Sequence, residues 1–323
     1  MKHPIDSLSG LLLDHGPERL KFFSDGWGSS DYALPTEIVD TPPEPLPVVW
    51  LSETSTDDLV VAHGSFTSPS AALPHRSQKG SILSLAPTGA TKRVVLLMPA
   101  WNEHEPRVRV ALAKRLARRG IRTLILENPY YGTRHPDPTE GQPIRTVGDF
   151  MVMGGAAVTE ARGILSWLTQ EGWEVGVSGY SMGGNTAALA SATVPFPVAT
   201  AALAASHSPG PVFLDGVLRG GIAWDALGGD SQEEALRAAL NSVSVLDIEP
   251  QPHTAAAVVV GARSDGYVPS AATHALAEHW PGSDLRTISG GHATLVWFRK
   301  DALADAIVDA FERMDSWRTE RFL

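Results

Sequence analysis

A serine between two glycines is the first group in this sequence that could do chemistry. The run Gly179-Tyr180-Ser181-Met182-Gly183 follows an apolar stretch that contains Val175 and Val177 and precedes an alanine-rich stretch. The pattern G-x-S-x-G between a strand and a helix is typical of a nucleophile elbow, a tight turn that raises the serine hydroxyl above the edge of a sheet. Glycines are needed because side chains at those two positions would crowd the strained turn. The pattern therefore predicts that Ser181 is a nucleophile, and not only a small residue in a turn.

A serine hydroxyl needs a base to take its proton, and the base needs a carboxylate that fixes its tautomer. Both groups follow later apolar runs, in the chain order serine, acid, histidine that accompanies this elbow. Asp265 comes after AAAVVVG, and Pro269 is placed to open the next helix. His292 comes after DLRTIS and two glycines, which allow the loop to approach the serine. We predict a triad of Ser181, Asp265 and His292.

Other titratable side chains are weaker candidates for these roles. Three aspartates precede the Asp265 run and are interpreted as caps or solvated groups: Asp215, Asp225 and Asp247. His207 also follows an apolar run, but it precedes the acid and breaks the expected order. His274 and His279 are five residues apart and would not share a helix face, so we predict no metal site, and no cofactor.

Two backbone amides are predicted to bind the oxyanion that forms when a carbonyl is attacked. The Met182 amide begins the helix after the serine, where the helix dipole favours negative charge. A second amide should come from the loop after the run RVVLLM, which reads Pro99-Ala100-Trp101-Asn102-Glu103-His104. We predict that the Trp101 amide is this second donor. Because the donor is a backbone group, the Trp101 ring can at the same time cover the core.

The composition excludes several classes of function. The formal net charge is -10 and no Lys/Arg-rich tract with interleaved aromatics occurs, so we predict no nucleic-acid partner. Because the chain has no cysteine, it has no disulfide, no thiolate nucleophile and no cysteine-bound zinc.

The N-terminal part contains two apolar clusters. Leu11 to Leu13 is too short for a membrane span and poor as a signal-peptide core, so we expect an unsecreted, cytoplasmic protein with no transmembrane segment. Phe22, Phe23 and Trp27 are expected to cover the domain's own core. The alternative, insertion of these rings into a lipid interface, leaves peripheral membrane contact open.

Apolar runs alternate with amphipathic helical patterns along the body of the chain. Eight runs have strand character: 59–63, 81–85, 93–98, 121–126, 174–178, 198–204, 256–261 and 284–288. Five stretches have helical periodicity: 106–119, 147–170, 182–193, 270–280 and 300–315. This alternation predicts an α/β fold, with a mostly parallel eight-stranded sheet and helices on both faces.

Two stretches depart from the alternation. Five prolines between residues 35 and 47 make residues 1–50 an irregular lead-in that packs on a domain of residues 51–323. Residues 206–250 are too long for a plain crossover. Their apolar side chains would suit a helical cap over Ser181, or ordinary packing onto the main domain.

The segment ENPYYGTRHP follows the fourth strand run, at the end of a strand where ligands bind in open α/β sheets. We predict that Tyr131 and Arg134 line the pocket and that Arg134 pairs with a phosphate or carboxylate of the substrate. The alternative is a turn with Arg134 solvated. The basic run from Arg107 to Arg122 is interpreted as a solvated helix face.

Several segments along the chain carry a family resemblance. In order they are LILENPYYGTRHP, VGDFMVMGGAAVTEARGILSWL, GYSMGG, GPVFLDGVL, SDGYVP and EHWPGSDLRTISGGHATLVWF, with DGWG and AHGSFTSP before them. They resemble the alpha/beta-hydrolase domain-containing protein 18 family over most of the chain. The resemblance implies an α/β-hydrolase fold, and it implies the same triad of Ser181, Asp265 and His292.

The loop after RVVLLM departs from that family. A run similar to Gly-Thr-Gly-Asp-His is expected there, whereas this chain has Ala100-Trp101-Asn102-Glu103-His104, and only His104 matches. We place His104 among the substrate-binding residues. The bulkier loop predicts an altered oxyanion hole and a narrower acyl site.

Together these residues predict a serine hydrolase of acyl esters, with lipid-like esters among its small-molecule substrates. Ser181 would attack the carbonyl, His292 would take and return the proton, and Asp265 would stabilise the imidazolium. Thioester hydrolysis or acyl transfer would use the same atoms. A non-catalytic ligand-binding protein of the same fold is the alternative from another class; the complete triad disfavours it and the altered loop favours it.

Overall fold

A mixed sheet forms the centre of the protein. The computed structural model describes residues 2–8, 21–29, 41–137 and 142–321, so parts of the predicted lead-in, 9–20 and 30–40, lie outside the described residues, as does the Leu11 to Leu13 run. Within the described ranges nine strands form one sheet. The strands are Val49–Ser55 (β1), Leu59–Thr67 (β2), Lys79–Pro87 (β3), Arg93–Met98 (β4), Ile121–Leu126 (β5), Glu174–Tyr180 (β6), Ala199–Leu203 (β7), Val258–Ala262 (β8) and Asp284–Ile288 (β9).

The sheet is mostly parallel. Its strand order is β1-β2-β3-β5-β4-β6-β7-β8-β9 in the described chain. The pairs β1-β2, β2-β3 and β3-β5 are antiparallel, and the pairs from β5 through β4 to β9 are parallel. Central parallel strands are apolar throughout because helices cover both of their faces, and all residues of β7 are buried. The predicted α/β fold with a mostly parallel sheet is confirmed.

The sheet has one strand more than the eight predicted. The additional strand is β1, whose residues are exposed along its whole length. It therefore lacks the alternation of buried and exposed residues that identifies a half-buried strand from sequence. On this sheet edge the Arg122 guanidinium lies 5.1 Å from the ring centroid of Trp50. Because β1 begins at Val49, it crosses the predicted lead-in boundary at residue 50.

Helices cover both faces of the sheet. They are Arg107–Ala117 (α1), Val147–Gln170 (α2), Met182–Ala192 (α3), Pro209–Leu214 (α4), Trp224–Leu227 (α5), Glu233–Asn241 (α6), Ser270–His279 (α7), His292–Phe298 (α8) and Lys300–Arg321 (α9). Short 3-10 turns lie at His75–Gln78, Gly132–Arg134, Val217–Gly221, Asp230–Gln232, Val245–Asp247 and Pro252–Ala256. Residues 4–8 form one further helical turn, called the N-terminal turn below.

The two faces are built from alternate residues of each strand. Val95 and Leu97 of β4 share a cluster with α1 and α9, whereas Val94 and Leu96 share a cluster with α2 and α3. This is the period of two that a strand imposes on its side chains. The five stretches with predicted helical periodicity correspond to α1, α2, α3, α7 and α9.

Residues 206–250 form a helical insertion between β7 and β8. Phe213 of α4 and Leu236 of α6 share an apolar cluster with Phe22 and Phe23. Phe22 and Phe23 are 5% and 0% exposed, respectively. The expectation that these rings cover the core is confirmed, and the alternative of a lipid contact through them is wrong because they are enclosed by the insertion.

Arg134 lies in the core and not in a pocket. Its side chain is 0% exposed, as is that of Glu160 on α2, and hydrogen bonds of 2.6 and 2.9 Å join the guanidinium to the carboxylate. Its other N–H groups donate to the carbonyls of Ser77 (2.8 Å) and Glu127 (3.0 Å). The prediction that Arg134 binds a substrate anion is wrong, because its charge is already paired inside the fold.

Replacing Arg134 by methionine should destabilise the fold. The change leaves the Glu160 carboxylate buried without a partner, which typically lowers the free energy of unfolding by about 3–5 kcal/mol. Urea unfolding measures the loss. Arg119→Met is the matched control, because Arg119 pairs with Asp305 at the surface, where both side chains are about half exposed, and a pair of that kind contributes about 0–1 kcal/mol. Equal losses in the two variants would contradict a structural role for the buried pair.

Candidate active site

Ser181 lies in a strained turn between β6 and α3. Its backbone has φ 59° and ψ −119°, a conformation that residues with a side chain rarely adopt. The Ser181 N–H donates to the Leu203 carbonyl of β7 over 2.8 Å, and the Ser181 carbonyl accepts from the Asn185 amide of α3 over 3.1 Å. The backbone of the candidate nucleophile is thus fixed by both neighbouring elements, in the strand-turn-helix order that the sequence predicts.

Gly179 and Gly183 make this turn sterically possible. A Cβ atom at Gly179 would lie 2.4 Å from the carbonyl carbon and oxygen of Gly183. A Cβ atom at Gly183 would lie 2.5 Å from the Met98 carbonyl oxygen at the end of β4. These distances are much shorter than van der Waals contact. The atoms that a Cβ would meet belong to the backbone, which the sheet and the helix hold in place. Both positions therefore require glycine.

His292 and Asp265 form a buried pair at the ends of β8 and β9. Their Nδ1 and Oδ2 atoms are 2.8 Å apart, and the two side chains are only 10% and 3% exposed. The other carboxylate oxygen of Asp265 accepts from the amides of Tyr267 (2.9 Å) and Val268 (2.8 Å). With every Asp265 oxygen bound, the carboxylate has one orientation, and it directs Nε2 of His292 away from itself.

Two tyrosines hold the ring and backbone of His292. The Tyr267 ring stacks on the imidazole, with centroids 4.9 Å apart and planes at 29°. Tyr180 donates its hydroxyl to the His292 carbonyl over 2.5 Å. Burial, with added effects of Asp265 and Asp6, raises the pKa of Tyr180 well above its ordinary value, so the phenol stays a donor. Sequence reasoning missed both residues, although each lies beside a predicted triad member.

Ser181 and His292 line one cavity of about 640 Å³. Its wall is mainly apolar, with contributions from α3, α4 and α8, from the turn Val217–Gly221 and from the loop after β8: Met182, Val212, Phe213, Leu218, Val268 and Val296. Trp101 and His104 also line it, so the cavity brings together five of the eight residues predicted for the site, and Asp265 binds His292 Nδ1. Among the described residues no hydrogen bond involves Ser181 Oγ, which is common in unliganded triads because the bond tightens only when substrate binds.

The loop from Pro99 to His104 is organised by a buried ion pair. Arg109 Nε donates to Glu103 Oε1 over 2.7 Å, and the Ala100 amide donates to Glu103 Oε2 over 3.3 Å. Arg109 Nη1 also donates to the carbonyls of Leu97 (2.7 Å) and Leu126 (2.6 Å). Burial lowers the pKa of Arg109 and Glu103 opposes that shift. The interpretation of the basic run as a solvated face is wrong at this residue.

Trp101 and His104 reach the cavity from this loop, and Tyr131 does not. Tyr131 is 0% exposed and is absent from the described residues that line the cavity. Its ring packs behind the loop, 6.5 Å from the Trp101 ring and 5.3 Å from the His104 ring, centroid to centroid. The prediction that Tyr131 lines the pocket is therefore wrong: it supports two residues that do.

Two features are absent from the residues that the structure describes: a membrane-spanning helix and a cluster of metal ligands. No helix there is long and apolar enough to cross a bilayer. No three His, Asp or Glu side chains there are grouped as ligands of a metal ion.

Comparison with protein families identifies the chain. The family described as alpha/beta hydrolase domain containing 18 matches residues 20–254 and 239–313. The chain belongs to this family. The matched residues include Ser181, Asp265 and His292, so the resemblance that the sequence motifs carry extends across the candidate active site.

Solved structures show the same fold. The acetyl xylan esterase from Paenibacillus sp. R4 is 13% identical, with a TM-score of 0.59 over 92% of this chain and 97% of the esterase. Acetyl xylan esterase 1 from Thermoanaerobacterium sp. JW/SL YS485 is 14% identical, with a TM-score of 0.56 over 90% of this chain and 97% of that one. Est1E from Butyrivibrio proteoclasticus, solved with ferulic acid, is 16% identical, with a TM-score of 0.52 over 81% of this chain and 100% of Est1E. At these identities the likeness shows the α/β-hydrolase fold alone.

An alanine at Gly179 should slow reaction at Ser181. Its Cβ would push Gly183 and shift Ser181, and a misplacement of about 1 Å can lower the rate about 100-fold. The measurement is the rate of Ser181 modification by a fluorophosphonate, together with the melting temperature. Gly154→Ala on α2 is the control, because a Cβ there meets nothing within 4 Å and alanine favours a helix. Equal modification rates in the two variants would contradict the steric role of Gly179.

Proposed function

We propose that the protein is a serine hydrolase that cleaves acyl esters through Ser181, His292 and Asp265. The observation that carries the proposal is the 2.8 Å hydrogen bond between His292 Nδ1 and Asp265 Oδ2, beside the cavity that Ser181 and His292 line. With Nδ1–H bound to the carboxylate, His292 presents Nε2 as a base. The strained backbone of Ser181 supports the same assignment, since such strain concentrates at functional sites.

The reaction proceeds through an acyl-enzyme. Ser181 Oγ attacks the ester carbonyl as its proton passes to His292 Nε2, and Asp265 stabilises the resulting imidazolium. Collapse of the tetrahedral intermediate breaks the bond to the alcohol oxygen, which takes the proton from Nε2 and leaves. Water then attacks the acyl group with the same base, and the acid and free Ser181 are regenerated.

The oxyanion is bound by the amides of Met182 and Trp101. Met182 is the first residue of α3, where backbone N–H groups have no partner inside the helix and the dipole favours an anion. Both donors are backbone groups, so the bulky side chains of the loop do not remove them. The loop keeps its shape through the Glu103–Arg109 pair and a left-handed residue, Asn102 at φ 56°.

The cavity suits an acyl group of medium size. Its volume of about 640 Å³ lies within the range of about 300–1,000 Å³ that small-molecule sites occupy. The helical insertion of residues 206–250 supplies Val212, Phe213 and Leu218 to the wall, which supports its proposed role as a cap. We propose that His104, which also lines the cavity, contacts the substrate; its Nε2 atom lies 3.2 Å from Asn102 Oδ1. A thioester or an acyl acceptor other than water would use the same atoms.

Ser181→Ala should eliminate both turnover and labelling. Loss of a nucleophilic serine lowers kcat by about a millionfold. Hydrolysis of p-nitrophenyl esters of graded chain length measures turnover, and a fluorophosphonate probe measures the reactive serine. Ser206→Ala is the control for labelling, because Ser206 lines the cavity outside the elbow and its removal should leave the label on Ser181. A wild-type protein that binds esters but neither hydrolyses them nor reacts with the probe would support the binding-protein alternative.

An apolar rim at the cavity supports lipid-like substrates. Trp297 and Phe298, at the end of α8, are 68% and 76% exposed. Trp297 also lines the cavity, so the rim is continuous with the proposed acyl site. Large exposed apolar side chains of this kind mark contacts with other apolar surfaces. We propose a peripheral contact of this rim with dispersed lipid; a cytoplasmic location stays a prediction from the sequence.

Replacing Trp297 and Phe298 together by serine should separate lipid from soluble substrates. Burial of one large apolar side chain contributes about 1.5–3 kcal/mol, so hydrolysis of long-chain esters in vesicles should fall at least about tenfold. Hydrolysis of a short soluble ester should fall much less, because it depends on Trp297 only as one of many residues that line the cavity. The control replaces Val49 and Leu51 by serine; these are 62% and 64% exposed on the far edge of the sheet. Equal effects on both substrates would rule out the proposed rim contact.

A further inference from the structure

A third carboxylate, Asp6, lies beside the triad without belonging to it. It is 0% exposed and belongs to the N-terminal turn of residues 4–8. Its Oδ2 accepts from the backbone amides of His292 (2.7 Å) and Gly266 (3.0 Å), and its Oδ1 accepts from the Ala293 amide (3.1 Å). One side chain thus binds the loop that carries Asp265 and the loop that carries His292.

The two loops are shaped to admit this side chain. A Cβ at Gly291 would lie 2.6 Å from Asp6 Oδ2 and 2.3 Å from the His3 Cβ, and a Cβ at Gly266 would lie 2.7 Å from the Asp6 Cβ. The His3 amide also donates to the Ser264 carbonyl over 2.8 Å. Glycines at both points of closest approach indicate that the N-terminal turn docks in a site fitted to it.

The physical effect of Asp6 is on backbone position and not on the reacting atoms. Asp6 is not among the described residues that line the cavity, and its described bonds go to amides and not to the imidazole. Hydrogen bonds to an ionised carboxylate are short and strong, and two of these three are at the N-terminus of α8, where the helix dipole adds to them. The anion therefore fixes the start of the helix that begins with His292.

We infer that Asp6 is a positioning residue that joins the acid loop to the histidine loop and sets the reach of His292 toward Ser181. The inference rests on the proposed function. Without this link, Asp265 would still orient the imidazole and Tyr180 would still bind the His292 carbonyl, but the amide at the start of α8 would lose its bond to the acid loop through Asp6. Reaction rates are sensitive to displacements of about 1 Å, whereas the apolar residues of the cavity wall, which would bind the acyl group, do not contact Asp6 through the bonds described above.

Asp6→Asn in the full chain tests the inference. Asparagine keeps one acceptor oxygen, but its NH2 group cannot accept the bond from the backbone amide that faces it, and the charge is lost. We expect kcat on a soluble p-nitrophenyl ester to fall about 10- to 100-fold with KM within about twofold, since only the transition state is affected. The fluorophosphonate labelling rate should fall in parallel. Amide hydrogen exchange should quicken at Gly266, His292 and Ala293.

Asp25→Asn is the matched control. Asp25 is also an N-terminal aspartate, but it pairs with Arg145, and both side chains are 44% exposed, so kcat and exchange in the two loops should match wild type. Assays are run well below both melting temperatures, so that unfolding does not lower kcat. An unchanged kcat in Asp6→Asn, with or without faster exchange, would overturn the positioning role. A wild-type protein that fails to turn over or to be labelled would overturn the proposed function instead, and the exchange rates would then decide alone whether Asp6 joins the loops.

Discussion

The left-handed backbone of Ser181 is the constraint on which the arrangement of the cavity depends. A residue with a side chain is destabilised by about 1–3 kcal/mol in such a conformation, and hydrogen bonds to β7 and α3 offset this strain. Gly183 brings the start of α3 against the Met98 carbonyl, where β4 ends and the loop from Pro99 begins. One turn therefore sets the positions of Ser181 and of the first candidate amide donor, Met182. The same turn positions the loop that carries the second candidate donor, Trp101.

Much of the fold could be predicted because the signals are local. Central strands are apolar on both faces and the long helices repeat every 3.6 residues, so β4 to β8 and five helices follow from periodicity. The serine, aspartate and histidine could be chosen because their order and their places after strands are constrained. β1 could not be predicted from the sequence, because an exposed edge strand carries no burial pattern. Arg134 could not either: the sequence gives its charge, but Glu160, which neutralises it, is brought close only by the fold.

Two buried arginines of this chain, Arg109 and Arg134, bind groups of the protein itself and not a substrate anion. Arg109 binds the carbonyls at the ends of β4 and β5, and Arg134 binds the carbonyl of Glu127, directly after β5. Both guanidiniums thus satisfy backbone groups where parallel strands end, and each is paired with one carboxylate, Glu103 or Glu160. The sheet edge that carries the candidate site is held by these internal ion pairs, and the cavity itself is left mainly apolar.

His292 is held by two carboxylates that act on different parts of the residue. Asp265 binds the imidazole and determines which nitrogen carries the proton, a role that a bond to the backbone could not supply. Asp6 binds the amide and, together with the Tyr180 hydroxyl on the carbonyl, holds the backbone of His292, a role that a bond to the ring could not supply, since the ring rotates about its own bonds. The two requirements are independent, so meeting one does not relax the other. Because the second is met by a residue of the N-terminal turn, the geometry of the candidate base depends on docking of residues 4–8 against the loops after β8 and β9.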